Sequence, residues 1–235
     1  VAKDPANEDW QAELEYAYSN LGTLAMDDGK AAEAEAWFRK SLEISLAQLA
    51  KTPGDENSVL ATGQAYAWLA DALHRKGQIE PAREARKSEL QLYENNLKAN
   101  PNGTLERAKT ASLVRTAQLE IALGRVTAAL AAASNAADLS NKLFAVDPKN
   151  ADLAEQYVRS LAVFGEAAVL SNRNSDARMA ILSSIGTAQR FLDFDSDVVR
   201  WKVGALAPSQ LILAKILSVE GEDANAIELL NLVID

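Results

Sequence analysis

Landmarks recur along this chain about every 48 residues, and that period limits what it can fold into more than any other feature. X-Pro breaks fall at Asp4-Pro5, Thr52-Pro53, Asn100-Pro101 and Asp147-Pro148, with the prolines 48, 48 and 47 residues apart. A second series runs out of phase with the first: Gly29, Gly77, Gly124, Asn172 and Gly221. Five residues after each of these stands an alanine: Ala34, Ala82, Ala129, Ala177 and Ala226. A fixed period of this length marks a solenoid, in which each unit buries its apolar face against its neighbours.

Between each X-Pro break and the next glycine the apolar residues keep helical spacing. Tyr18, Leu21 and Ala25 fall at i, i+3 and i+7, and Tyr66, Leu69 and Leu73 repeat those offsets, so each set lies on one helix face. The glycine then stops the helix, in the strings DDGK, RKGQ, ALGR and VEGE. The fourth unit has SNRN, and Asn is the next best residue for a left-handed cap. A second helix follows and runs to the next proline, which cannot continue it. Asn7, Asp55, Asn102 and Asn150 stand where they can cap the next helix.

This spacing predicts antiparallel pairs over 7–27 with 31–51, 55–75 with 79–98, 103–122 with 126–145, 150–171 with 175–192, and 196–219 with 223–235. Each helix has about 20 residues and spans roughly 30 Å. Pro208, in VGALAPSQ, predicts a kink or break in the ninth helix, since a straight helix there would cost ~3 kcal/mol. Strands are not expected: aromatics are only 6% of the chain and β-branched runs are short.

The charge balance narrows the partners. The net charge is −9, and it is uneven. Residues 1–50 hold ten acids and four bases, residues 186–235 eight acids and four bases, and the middle is near neutral. Phosphate binding needs a basic stripe, so nucleic acid and anionic membrane surfaces are disfavoured as partners. The absence of cysteine removes disulfides, thiol catalysis and Cys-based zinc sites. No apolar run reaches the roughly 18 residues of a membrane span, so no membrane insertion is expected. The chain starts at Val1 without a signal-peptide pattern, which fits a fragment of a larger protein and a cytoplasmic location, with a periplasmic or extracellular one as the alternative.

These landmarks resemble the tetratricopeptide repeat (TPR). Its first helix carries an aromatic and a Leu-Gly or Leu-Ala pair, its turn a glycine, and its second helix a small residue followed four positions later by a large apolar one. The first unit supplies Tyr18, Leu21-Gly22, Gly29, Ala34 and Phe38. The second supplies Tyr66, Leu69-Ala70, Gly77 and Ala82, with Arg86 in place of the aromatic. The third has Thr116-Ala117, Gly124, Ala129 and Ala133, the fourth Phe164-Gly165, Asn172, Ala177 and Ile181, and the fifth Leu213-Ala214, Gly221, Ala226 and Leu230. The period exceeds the usual 34 residues of the family, a long-helix variant similar to arrays in bacterial multidomain signalling proteins. The resemblance implies an all-α fold: an α-solenoid, a right-handed superhelix of five TPR-like helix pairs, with units near 5–52, 53–100, 101–147, 148–194 and 195–235 forming one repeat domain.

Residue patterns for chemistry are sparse. His74 is the only histidine and sits near a helix end, where a cation suits the dipole. Asp193, Asp195 and Asp197 resemble the start of a calcium loop, but Val198 stands where glycine is required and Gly204 where the bidentate Glu belongs. They are expected to cap the ninth helix instead. Asn102-Gly103-Thr104 fits a glycosylation sequon and equally well an ordinary turn. No phosphate loop, metal cluster or nucleophile motif is present, so no catalytic residues, cofactor or metal are expected.

In arrays of the resembled kind, first helices line the concave face. The positions turned away from the packing face are Tyr16, Asn20 and Thr23; Gln64, Trp68 and Asp71; Arg115 and Gln118; Arg159 and Glu166; and Lys215. Trp68 stands out because tryptophan is enriched at binding hot spots, although packing on a neighbouring repeat would explain it equally. The resulting expectation is a non-enzymatic protein-interaction or regulatory scaffold that holds a peptide or partner helix. Two alternatives stay open: homo-oligomerisation through the end repeats, where apolar IELLNLVID closes the chain, and a small-ligand sensor.

Overall fold

A computed structural model describes residues 8–193, 197 and 199–234. Ten α-helices follow in order: α1 (Glu8–Asp27), α2 (Ala31–Lys51), α3 (Glu56–Arg75), α4 (Ile79–Ala99), α5 (Gly103–Ala122), α6 (Val126–Val146), α7 (Ala151–Leu170), α8 (Asn174–Leu192), α9 (Ala207–Val219) and α10 (Asp223–Ile234). A π-helical segment, Val199–Leu206, leads directly into α9. No strand occurs among the described residues. The contacts divide the chain into two compact units, Val1–Ser112 and Leu113–Asp235.

The turns form as their residues dictate. Gly29, Gly77, Gly124 and Gly221 have φ of 75°, 74°, 68° and 81°, and Asn172 is the one described non-glycine residue at positive φ, at 57°. The left-handed residue lets two amides turn back onto carbonyls the helix leaves open. Gly29 N donates to Met26 O at 3.0 Å and Lys30 N to Ala25 O at 2.8 Å, and the pattern recurs at Asn172, with Asn172 N to Val169 O at 3.0 Å and Arg173 N to Ala168 O at 2.8 Å. Helix starts are capped as the sequence implies. Asp55 accepts from Ser58 N at 2.8 Å, Asn102 from Thr104 N at 2.7 Å, and Asn150 from Asp152 N at 3.0 Å. Asn7 lies outside the described residues. Asn102 also donates to Glu56 at 2.6 Å, so its side chain serves the turn.

The small residues mark where paired helices come closest. Ala34, Ala82, Ala129 and Ala177 are fully buried and Ala226 nearly so. A Cβ on Gly22 would lie 2.3 Å from the Phe38 ring, and one on Gly165 would lie 2.5 Å from Ile181. The Leu-Gly and Phe-Gly pairs thus seat the large residue of the second helix. Ala82→Leu should cost ~1–3 kcal/mol through overpacking, whereas Lys98→Gln, on the exposed side of α4, should stay within about 0.5 kcal/mol. Urea denaturation of the two variants measures both effects, and equal shifts would contradict this packing register.

Within each unit an ion pair joins consecutive repeats at one position, with reversed polarity. Glu35, one residue after Ala34, pairs with Lys76, one residue before Gly77. Arg178, one residue after Ala177, pairs with Glu220, one residue before Gly221. The hydrogen bond from Lys76, the largest influence on it, holds the Glu35 carboxyl below its ordinary value.

Of the kink or break expected at Pro208, the break is not seen: helical backbone runs from Val199 to Val219, with a π segment immediately before the first turn of α9. The proline lies in the first turn of α9, where the wider π ladder gives way to the α ladder, and a missing N–H is tolerated in a first turn. The expectation that no apolar run reaches the length of a membrane span is corrected: the helix Val199–Val219 is long and apolar enough to cross a bilayer, by length and composition only. One side of it is buried, through Trp201, Ala205, Leu206, Ala214, Ile216 and Leu217, while Val199, Val203, Leu211 and Val219 are exposed.

Candidate peptide-binding faces

In the N-terminal unit, α1 and α3 carry six of the expected groove residues. Tyr16 is 64% exposed, and Asn20, Thr23 and Gln64 are exposed beside it in the pattern. The Thr23 hydroxyl donates to Ser19 O at 3.0 Å, within its own helix. Trp68 is half-buried and stacks on Phe38 of α2, with ring centroids 5.8 Å apart and planes at 20°. It therefore packs on the preceding repeat and presents only part of its ring. Asp71 accepts from Arg86 Nη2 at 2.7 Å, so its charge is already engaged. The C-terminal ends of α1 and α3 are tied by Arg75 Nη1, which donates to Met26 O at 3.1 Å.

In the C-terminal unit, Arg115 donates to Gln118 at 3.1 Å on one exposed face of α5. Arg159 pairs with Glu155 one turn away on α7. Glu166 is half-buried, and Lys215 on α9 is exposed. Each of these pairs is local to its own helix.

Sequence reasoning missed a buried charge cluster beneath the α3–α4 packing. Arg86 is 4% and Glu89 3% exposed. Arg86 Nη1 donates to Glu89 at 2.7 Å, and Nη2 reaches Asp71. Burial, the largest influence on Glu89, pushes its carboxyl up, and Arg86 opposes that shift. Burial alone would lower the Arg86 pKa, but Glu89 and Asp71 together outweigh it and hold the guanidinium charged. Burial and then Glu89 raise the neighbouring Tyr93 phenol as well. The available signal was Arg86 itself, a cation where the repeat pattern places an aromatic.

His74 is exposed near the end of α3. Asp197 accepts from Arg200 N at 2.9 Å, as a helix cap does, and Asp193 closes α8, while Asp195 lies outside the described residues. Among the described residues no group of three His, Asp or Glu side chains is placed to hold a metal ion.

Comparison with known proteins agrees with this geometry. Residues 15–48 match the family model of the tetratricopeptide repeat. The fold is similar to BtubC (BKLC) from P. vanneervenii, with TM-score 0.69, 14% identity, and coverage of 99% of this chain and 87% of that one. It is also similar to the nearly identical TPR-like repeats of a kinesin light chain-like protein from Podosopora anserina, with TM-score 0.64, 17% identity, and coverage of 93% and 92%. Comparison with curated sequences gives no match. The fold is thus an all-α, TPR-like helical repeat array, and residues 15–48 carry the sequence signature of one tetratricopeptide repeat.

Proposed function

We propose that this chain is a non-catalytic protein-interaction scaffold that holds an extended peptide against its first helices. The observation that carries the reading is the α1–α3 face. Tyr16 is 64% exposed, with Asn20 on the same helix, and exposed Gln64 lies one turn from a Trp68 fixed by stacking on Phe38. An exposed aromatic beside amide donors on rigid helices is the composition of a peptide anchor, since aromatic side chains dominate interface energies. A repeat fold alone does not choose a partner. In the test, partners captured from the source cell are titrated against the parent chain and Tyr16→Ala. Binding should weaken by more than ~1 kcal/mol with unchanged helicity, and equal affinity for both chains would remove the α1–α3 face from consideration.

Self-association is the second reading. Ile227 and Leu230 are 59% and 37% exposed on α10, and exposed apolar side chains on one helix can pack against a second copy. Light scattering of the purified chain over a concentration series decides between a scaffold that acts as a monomer and one that assembles.

A further inference from the structure

The α1–α3 face consists of one stripe repeated on two helices. Glu13, Tyr16, Asn20, Thr23 and Asp27 alternate steps of three and four, and the 48-residue shift from Gly29 to Gly77 turns them into Ala61, Gln64, Trp68, Asp71 and Arg75. Residues so spaced share one side of a helix. The stripe of α3 stays accessible with the α1–α2 pair packed before it: Gln64 and Arg75 are exposed, and the Asp71 side chain is 44% exposed. Accessibility therefore belongs to this position in the repeat, since a complete preceding helix pair leaves it open.

The charge on this face is unbalanced. Five acids and no lysine or arginine lie within Glu8–Asp27. Asp27 stands in the last turn of α1, with Asp28 just beyond it, where the helix dipole disfavours negative charge. Arg75, the base of the α3 stripe, is committed to that helix end, donating through Nη1 to Met26 O at 3.1 Å. Arg86 lies 2.7 Å from Glu89 and 2.7 Å from Asp71, one cation for two carboxylates. Glu89 is buried, and Asp71 is the one that reaches water, held through Oδ1. The corresponding positions of α5, α7 and α9 carry Arg115, Arg159 and Lys215 against one acid, Glu166. Acidity is thus particular to α1 and α3 and is not imposed by the repeat.

We propose that the α1–α3 face selects a basic peptide, whose lysine or arginine side chains meet Glu13, Asp27 and Asp71 and lie against the exposed ring of Tyr16. The proposal rests on the reading of this face as a peptide site and adds its specificity. Glu13 and Tyr16 are three residues apart on α1, so a cation drawn to the ring face has a carboxylate beside it. Asp71 is already oriented by Arg86. It accepts a second donor with little further loss of side-chain freedom, the cost that weakens most exposed ion pairs.

Three pools of fluorescein-labelled nonapeptides serve as probes. Their third and sixth positions are fixed as lysine, glutamate or serine, and all other positions are drawn from uncharged residues. Fluorescence anisotropy is read on the full chain at about 0.15 M salt, where a screening length of roughly 8 Å suppresses attraction by distant charges. The lysine pool should bind saturably and about tenfold tighter than the glutamate pool, as two exposed ion pairs allow. Asp71→Asn, and separately Glu13→Gln with Asp27→Asn, should each weaken the lysine pool about two- to fivefold with unchanged circular dichroism. Glu43→Gln, an equal loss of charge at an exposed position of α2, should leave it unchanged. The proposal is overturned if the lysine pool does not saturate, if the glutamate or serine pool binds as tightly, or if Asp71→Asn and Glu43→Gln act alike. Tyr16→Ala tells these results from failure of the peptide reading. If it weakens whichever pool binds, the face is a peptide site with another preference; if it alters no pool, the peptide site and its proposed specificity fall together.

Discussion

Arg86→Ala should destabilise the protein by about 3–5 kcal/mol, because it strands a carboxylate inside the fold. Glu89 is 3% exposed, and the guanidinium 2.7 Å away is the cation that makes its burial tolerable. Asp71, the other carboxylate on Arg86, has a side chain 44% exposed and can turn to water. The loss therefore concentrates on Glu89. The sign of its pH dependence follows from linkage. A carboxyl whose folded pKa is raised binds its proton more tightly in the native state, so stability falls as pH rises from the ordinary carboxylate value through the raised one. In Arg86→Ala the opposing pull of Arg86 is gone, and the deficit should be smaller at acidic pH than at pH 8. Replacing Arg86 and Glu89 together by leucine and methionine should recover most of the loss, since well-packed apolar side chains can substitute for a buried ion pair. Urea denaturation across pH measures all three variants. A pH-independent deficit in Arg86→Ala would mean that lost packing, and not the stranded charge, sets the cost.

Trp201→Ala should cost a comparable ~3–5 kcal/mol, by a different route. Among the described residues Trp201 is the largest fully buried side chain. It stacks on Phe191 with centroids 4.9 Å apart, and the Arg200 guanidinium lies 5.4 Å from the ring centre. Around it are Phe144, Ala154, Val158, Ala188, Ala205 and Leu206, so truncation opens a cavity where the π segment meets α8. Arg200 itself is held by Glu155 and Asp152 at 2.7 and 2.6 Å and should keep its place. Because Trp10, Trp37 and Trp68 all precede residue 113, loss of Trp201 removes the one indole reporting on the C-terminal unit. Circular dichroism is therefore the appropriate probe, and an unchanged denaturation midpoint would contradict the packing described.

The repeat architecture was legible because its determinants are local. Each helix boundary depends on a proline, a capping Asn or Asp, or a left-handed Gly or Asn within a few residues of it. Predicted and observed ends accordingly agree closely, down to Asn172 serving where four glycines serve elsewhere. The small alanines were legible for the same reason, as a fixed offset from the turn. The groove was less so. Whether Trp68 faces a ligand or Phe38 depends on a residue 30 positions earlier, and whether Asp71 is available depends on Arg86 in the next helix. Spacing along one helix gives the side of a side chain but not what already occupies that side. That helical backbone continues through Pro208 was not legible, because the cost of proline was reckoned against an α ladder on both sides of it, and the preceding ladder is π.

That π segment explains how the array can keep its interfaces while its length drifts. The turn residues Gly29, Gly77, Gly124, Asn172 and Gly221 are separated by 48, 47, 48 and 49 residues, and the longest interval is the one that contains Val199–Leu206. A π turn closes its hydrogen bonds from i to i+5, one residue more than an α turn. It is therefore a place to store an inserted residue inside a helix without moving the caps at either end. An evolving array of this kind can gain single residues within a helix, not only in its loops, and still present its small alanines to the same partners.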